Sequence, residues 1–267
     1  MKIIVCLKQV PDPDGSRDSF VINQETHKVE PKGIPPVVSL FDENALEAAA
    51  RIKDAGKVKV MMTLLSVGRK VSNAVMLKAL AAGADELIKV EGEALDSGDL
   101  DSYQTASILV AAIKKIDKYD LILVGRQAAD WNAGQVGIFI AGMLGVPVVT
   151  LARKIETDPD GTVLVERIIS EGYEVVRCPL PAVIMVSNEL GELRYPTMIE
   201  RRDAKKKPIT TWQVEDLGLD GTIGKKVKLH SLYKPEIKQV QCEVMAGETP
   251  ADAGEKLARR LHEDKVF

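Results

Sequence analysis

The chain has 267 residues, 45% hydrophobic and 28% charged, which is enough to bury one large domain core with appendages. A formal net charge of −3, without a broad basic surface pattern, excludes electrostatic capture of nucleic acid. Cys6, Cys178 and Cys242 are odd in number and far apart, and His27, His230 and His262 are equally scattered. Neither a disulfide framework nor metal-ligand spacing follows, so redox chemistry would need an organic cofactor.

Met1-Lys2 leads into an apolar run at 3–7 that is too short for a signal-peptide core or a membrane span. It reads as a first strand, in a protein of a cytoplasm-like compartment with no direct membrane insertion. Pro11-Asp12-Pro13-Asp14-Gly15 is turn chemistry before an acid–base pair, and 20–22 with 28–30 suit a small hairpin. A helix follows Ser39-Leu40-Phe41-Asp42, where Ser39 or Asp42 can accept hydrogen bonds from the open N-terminal amides. Ala45, Ala48, Ala49 and Ile52 share its apolar face.

Further strands are predicted at 58–65, 86–90, 121–124 and 146–151, and further helices at 70–82, 101–116 and from 133–135 to just before 145. The strands lack polar alternation, as expected where both faces are buried in a parallel sheet between helical layers. The order predicts a doubly wound α/β domain. Gly68-Arg69-Lys70 lacks the upstream glycines of a phosphate loop, and the acidic stretch 96–101 reads as a turn capping the third helix.

Beyond 151 the texture changes. Residues 153–156 and 163–170 flank Asp158-Pro159-Asp160-Gly161, a hairpin signal, and 173–177 and 182–186 add strands to the same sheet. Residues 1–193 therefore read as a nucleotide-binding α/β domain. From 194 the periodicity fades, Lys205-Lys206-Lys207 reads as a solvated run, and an amphipathic helix at 251–262 closes the chain through Leu257, Ala258 and Leu261. Residues 194–267 read as a C-terminal arm and helix, either docking on a partner subunit or packing back on its own domain.

In doubly wound folds, ligands sit beyond the carboxyl ends of the strands, where helix N-termini present free amides. There the sequence reads Gly125-Arg126-Gln127-Ala128-Ala129-Asp130-Trp131-Asn132-Ala133-Gly134-Gln135-Val136-Gly137. Small side chains ahead of a helix start make a phosphate cradle. The same pattern also fits many other strand-to-helix turns. No serine, cysteine or histidine grouping points to nucleophilic catalysis.

At this loop the chain resembles the β subunits of electron-transfer flavoproteins, and the resemblance extends over nearly its whole length. It is carried by Val5-Cys6-Leu7-Lys8-Gln9-Val10-Pro11-Asp12, by Phe41-Asp42-Glu43-Asn44-Ala45-Leu46-Glu47-Ala48-Ala49, and by Ala79-Leu80-Ala81-Ala82-Gly83-Ala84-Asp85. Gly125-Arg126-Gln127-Ala128, Asp130 and Gln135 match the family's nucleotide loop. Val165-Glu166-Arg167, Glu171-Gly172-Tyr173-Glu174, Leu180-Pro181-Ala182-Val183, Arg194-Tyr195 and the lysine run follow in order. The chain departs from the family at Ser39-Leu40 (usually Asn-Pro), at Trp131-Asn132, at Ser170 and at Met185.

The resemblance implies an adenine-nucleotide α-hydrolase-like fold and a heterodimer with an α subunit, which carries the transferable FAD. It implies a second adenine nucleotide in β, AMP in classical members and FAD in electron-bifurcating ones. By position its contacts fall on Cys6, Ser39, Leu40, Phe41, Asp42, Val67 and the loop from Gly125 to Val136. An acyl-CoA dehydrogenase-type partner would be anchored through Met198. Lys8 to Asp12, Gln135-Val136-Gly137 and the closing segment are more similar to the bifurcating members, which implies FAD in β and division of an electron pair from NADH. One electron would pass through the α flavin to a low-potential acceptor and the other to the dehydrogenase. The competing readings are a classical AMP-holding β subunit and an adenine-nucleotide hydrolase, ligase or ATP-binding module of similar topology. The enzymes usually carry Ser-Gly-Gly-x-Asp-Ser where this chain has Gln9-Val10-Pro11-Asp12-Pro13-Asp14.

Overall fold

A computed structural model describes the chain except residues 24, 27, 94, 96–99, 159, 220–222, 235–241 and 267, and the side chain of Arg17. His27 of the expected hairpin, most of the acidic stretch 96–101 and Pro159 of the later hairpin turn lie outside the described residues. The chain divides into two compact units, Met1–Leu232 and Tyr233–Phe267.

The first unit opens with β1 (Lys2–Leu7), β2 (Gln9–Pro11), β3 (Phe20–Asn23), β4 (Lys28–Pro31), β5 (Pro36–Val38) and α1 (Leu40–Asp54). It continues with β6 (Met61–Gly68), α2 (Asn73–Ala81), β7 (Glu86–Glu91), α3 (Ser102–Ile116), β8 (Leu121–Gly125) and α4 (Val136–Leu144). Then come β9 (Val148–Asp158), β10 (Thr162–Ile169), β11 (Gly172–Pro179), β12 (Ala182–Val186), α5 (Met198–Ala204) and β13 (Ile209–Gln213). Nine strands form one sheet in the order β11-β10-β9-β12-β8-β1-β6-β7-β13. It is parallel from β9 to β13 and antiparallel across β9-β10-β11.

This is the expected mixed α/β architecture, and the strands that alternate least are the most enclosed. All five residues of β8 and of β12 are buried. β1 sends Ile3, Val5 and Leu7 into an apolar layer shared with α1 and α2, while Ile4 and Cys6 enter the layer under α3 and α4. A period-2 strand with apolar residues on both faces is what the middle of a three-layer sandwich requires. The hairpins also form: β3 pairs with β4, and β9 with β10.

Two features differ from the sequence expectation. Within the segment that lost periodicity, β13 joins the sheet edge in parallel with β7, Ile209 opposite Leu87 and Trp212 opposite Val90. Its side chains are only partly buried or exposed, so no apolar run marked it. Lys207, from the run read as solvated, donates from Nζ to the carbonyls of Leu80 (2.9 Å) and Ala84 (2.6 Å), which ties the approach to β13 onto the end of α2.

In the second unit, α6 (Pro250–Glu263) starts at Thr249, whose Oγ1 accepts the Asp252 amide at 3.2 Å. Pairs four residues apart, Asp252 with Lys256 and Arg260 with Asp264, each at 2.9 Å, line its polar side. No helix among the described residues is long and apolar enough to cross a membrane.

Candidate functional site

The strand order reverses between β1 and β8. The chain leaves β1 towards β6 and β7, then returns through α3 to place β8 on the other flank of β1. Neighbouring crossovers then depart to opposite faces, and a crevice opens at the strands' carboxyl ends. A cavity of about 360 Å³ lies there, on the face covered by α3 and α4. Cys6, Val67, Val124, Gly125 and Met185 come from four strand ends, and Arg126, Gln127 and Ala128 begin the loop beyond β8.

The first turn of α1 shapes this crevice in an unexpected way. Neither Ser39 nor Asp42 closes its own helix, since the Ser39 N-cap has no side-chain bond to an amide of α1. Ser39, fully buried, instead accepts the Ala129 N–H on Oγ at 3.1 Å. Asp42 accepts the Gly125 N–H on Oδ1 at 3.1 Å and the Lys8 N–H on Oδ2 at 2.7 Å. The short polar side chains at the start of α1 thus hold the loop beyond β8 and the end of β1.

The loop is compact enough to need glycine. A Cβ on Gly125 would stand 2.6 Å from both Asp42 Oδ1 and the Phe41 carbonyl carbon, contacts that no side chain tolerates. Gly134 takes φ +66°, in the left-handed region. Asn132 also has positive φ and is held by its amide to the Ala128 carbonyl and by Gln127 Nε2 to its Oδ1. Asp130 turns away and pairs with Lys8 Nζ at 2.7 Å, while the Arg126 guanidinium lies 5.3 Å from the Phe41 ring centre.

Among the described groups, the main-chain amides of Gln127, Ala128, Ala133, Gly134 and Gln135 have no acceptor in the chain. α4 starts directly behind them without a side-chain cap, so its first-turn amides are open as well. Open donors at a nine-residue helix's positive end make an anion-binding surface. The fit to a nucleotide phosphate therefore rests on backbone N–H groups and small side chains.

Among the described residues, the carboxyls of Asp42 and Asp101 line this cavity. Burial pushes the Asp42 carboxyl up to about 7, and the nearby Asp130 acts in the same direction; the two amides and the Lys8 charge oppose them. Burial also raises the Cys6 thiol, and Asp42 adds to that shift. Asp101 is held below the usual carboxylate range: burial acts against this, but the amides of Gln104, Lys226, Val227 and Tyr103 outweigh it.

Of the residues predicted from sequence, Cys6, Asp42, Val67, Gly125, Arg126, Gln127, Ala128, Trp131, Ala133, Gly134, Gln135 and Val136 line the cavity. Ser39, Phe41 and Ala129 stand behind that wall as supports. Leu40 is half exposed, and Asp130 and Asn132 lie outside the lining. The sequence reading did not include the far wall, made by Leu100, Asp101, Ser102, Thr105 and Leu109 at the start of α3 and by residues between Lys225 and His230. The Asp101-x-x-Gln104 pattern was a legible capping box. Nothing in residues 225–230 signalled that they would reach this cavity.

A family model described as the electron transfer flavoprotein domain matches residues 27–217. The chain is 35% identical over 273 residues to the caffeyl-CoA reductase–Etf complex subunit CarD of Acetobacterium woodii, covering 100% of both chains. It is 36% identical over 245 residues to the electron transfer flavoprotein subunit beta of Megasphaera elsdenii, covering 88% of each. It is 34% identical over 272 residues to the subunit of the same description from Thermoanaerobacterium thermosaccharolyticum, covering 100% of both.

Proposed function

The chain belongs to the electron transfer flavoprotein family as a β subunit, and we propose that its strand-end cavity holds FAD within an electron-bifurcating heterodimer. The observation that carries this reading is the lining of the cavity beyond the phosphate cradle. It runs from the open amides of 127–135 to a second wall at α3 and 225–230, beyond what a phosphate cradle needs. The loop after β1, from Lys8 to Asp12, contributes no aromatic side chain that would fill this space.

FAD, when bound, supplies one- and two-electron transfer at its isoalloxazine ring. The chain's own part is placement and tuning. Gln127, Ala128 and the residues from Ala133 to Val136 would hold the phosphates through main-chain N–H groups and the positive end of α4. Asp42, its carboxyl raised by burial to about 7, carries only part of its charge near pH 7, which lessens its opposition to an anionic phosphate. Cys6, Val67, Val124, Leu109 and Met185 exclude water from the inner side.

In this reading an α subunit carries the second FAD. Electrons from NADH are divided between a low-potential acceptor and an acyl-CoA dehydrogenase-type partner. The likeness to CarD, named as a subunit of a caffeyl-CoA reductase–Etf complex, supports such an assembly. In residues 194–267, the exposed parts outside β13 and the cavity wall at 225–230 serve for docking. Within them Tyr195, Met198 and Ile199 are exposed by 80%, 79% and 64%, and Met198 would anchor the dehydrogenase. Three unpaired cysteines suit a reducing, cytoplasm-like compartment.

The test is the visible spectrum and released-nucleotide content of the co-purified heterodimer. Two flavins per pair support the proposal. One flavin and one AMP per pair overturn it.

A further inference from the structure

We propose that Asp101 determines the ligand length this site accepts, by latching residues 223–230 across the cavity so that an adenine dinucleotide is preferred to a mononucleotide. The inference rests on the reading of the cavity as an FAD site.

Asp101 is the N-cap of α3, and its two oxygens do separate work. Oδ1 accepts the Gln104 amide at 2.8 Å, closing the helix. Oδ2 accepts the amides of Lys226 at 2.5 Å and Val227 at 2.9 Å, which belong to a segment more than 120 residues away in sequence. One turn of helix adds two more ties. Gln104 Nε2 donates to the Ile223 carbonyl at 2.7 Å, and the Lys226 ammonium stands 5.2 Å from the centre of the Tyr103 ring. The latch grips mainly main chain, so it fixes the path of the segment and leaves most of its side chains free for another purpose.

That path brings Lys225, Val227, Lys228, Leu229 and His230 to the cavity, whose lining they share with Gly125 and the loop beyond β8. A mononucleotide needs only the strand ends and the open amides beside α4. In this reading the second half of a dinucleotide lies towards α3, where this segment lines the cavity. Its chemistry suits the task. Two lysines can approach the negatively charged linkage, and Val227 and Leu229 offer apolar surface to a ring. An unlatched segment would leave the phosphate end intact and open the ring end to water.

The decisive variant is Asp101→Asn in the full-length chain, stripped of nucleotide and titrated separately with FAD and with AMP. Asn caps a helix about as well as Asp, so the start of α3 is kept, while an NH2 group replaces the oxygen that faces two N–H donors. FAD affinity should fall about tenfold or more, AMP affinity should stay within about twofold, and amides in 223–230 should exchange faster with solvent. Val227→Pro deletes one latched N–H without touching α3 and should show the same selectivity. Equal losses for FAD and AMP, or unchanged FAD affinity in both variants, would overturn the latch. If the unsubstituted chain binds AMP and not FAD, the FAD reading fails and the latch fails with it. Wild-type FAD binding with no effect in the variants removes the latch alone.

Discussion

The carboxylate of Asp42 accepts the main-chain N–H of Gly125 at 3.1 Å, and its other oxygen accepts that of Lys8 at 2.7 Å. These amides lie at the carboxyl ends of β8 and β1, the neighbouring strands between which the sheet order reverses. One side chain from α1 therefore holds together the two strand ends that frame the crevice. Because the group is 7% exposed, its charge is costly in the place where it is needed.

That cost makes stability depend on pH. The carboxyl lies near 3.8 when unperturbed and is raised by burial to about 7 in the fold. Its contribution is complete below pH ~4 and is lost as pH rises to ~7, because over that window the unfolded chain has released a proton that the fold retains. Asp42→Asn should remove this slope. Urea midpoints at pH 5 and pH 8 should converge for the variant relative to the wild type, out of a total on the order of 4 kcal/mol. Identical slopes in both proteins would refute the assignment to Asp42.

Gly125→Ala should be among the most damaging single changes near the site. The added methyl group would meet Asp42 Oδ1 and the Phe41 carbonyl carbon at 2.6 Å, and backbone cannot step aside as a side-chain tip can. A loss of about 3 kcal/mol is expected, together with loss of bound nucleotide. Gly137→Ala would meet Met185 Cγ and Val124 Cγ2 at 2.7 Å, and the flexible methionine can relieve part of that contact. Thermal denaturation should rank Gly125→Ala as the more severe.

Ser39→Ala deletes the acceptor of the Ala129 N–H and leaves a partly buried donor unpaired. The expected cost is about 1–2 kcal/mol, with weaker nucleotide retention because the loop is released from α1. If Ser39 were an ordinary helix cap, stability would fall without any change in nucleotide affinity. Equilibrium dialysis at fixed temperature separates the two.

Met198→Ala probes the proposed docking arm. The side chain is 79% exposed at the start of α5, where Thr197 and Glu200 form a capping box that the substitution leaves in place. Stability should stay within about 0.5 kcal/mol. The rate of reduction of an acyl-CoA dehydrogenase-type partner should fall severalfold at sub-saturating partner concentration. A normal rate would remove Met198 from the interface.

Much of this architecture was legible in the order of residues. Apolar runs such as Leu121 to Val124 carry both-face burial in their composition, and Asp101-x-x-Gln104 announces a helix start through local geometry alone. The motif order along the chain also led to the family that the comparisons support. These signals are short-range or additive, so they survive without knowledge of the fold. β13 escaped because its side chains are not fully buried, and pairing with β7 depends on main-chain hydrogen bonds that no side-chain pattern encodes.

The sequence by itself determined a strand–helix alternation, a small-residue loop behind β8 and the family to which that loop belongs. Only the tertiary structure decided what the polar residues around the loop do. Ser39 and Asp42 carried a local signal for capping α1, yet they serve the loop and the end of β1, because the strand reversal brings those amides within reach. Asp101 carried the same local signal and honours it with one oxygen, while the other holds Lys226 and Val227. A hydrogen-bonding side chain advertises its capacity in sequence, but the partner it meets across the fold is set by the path of the chain.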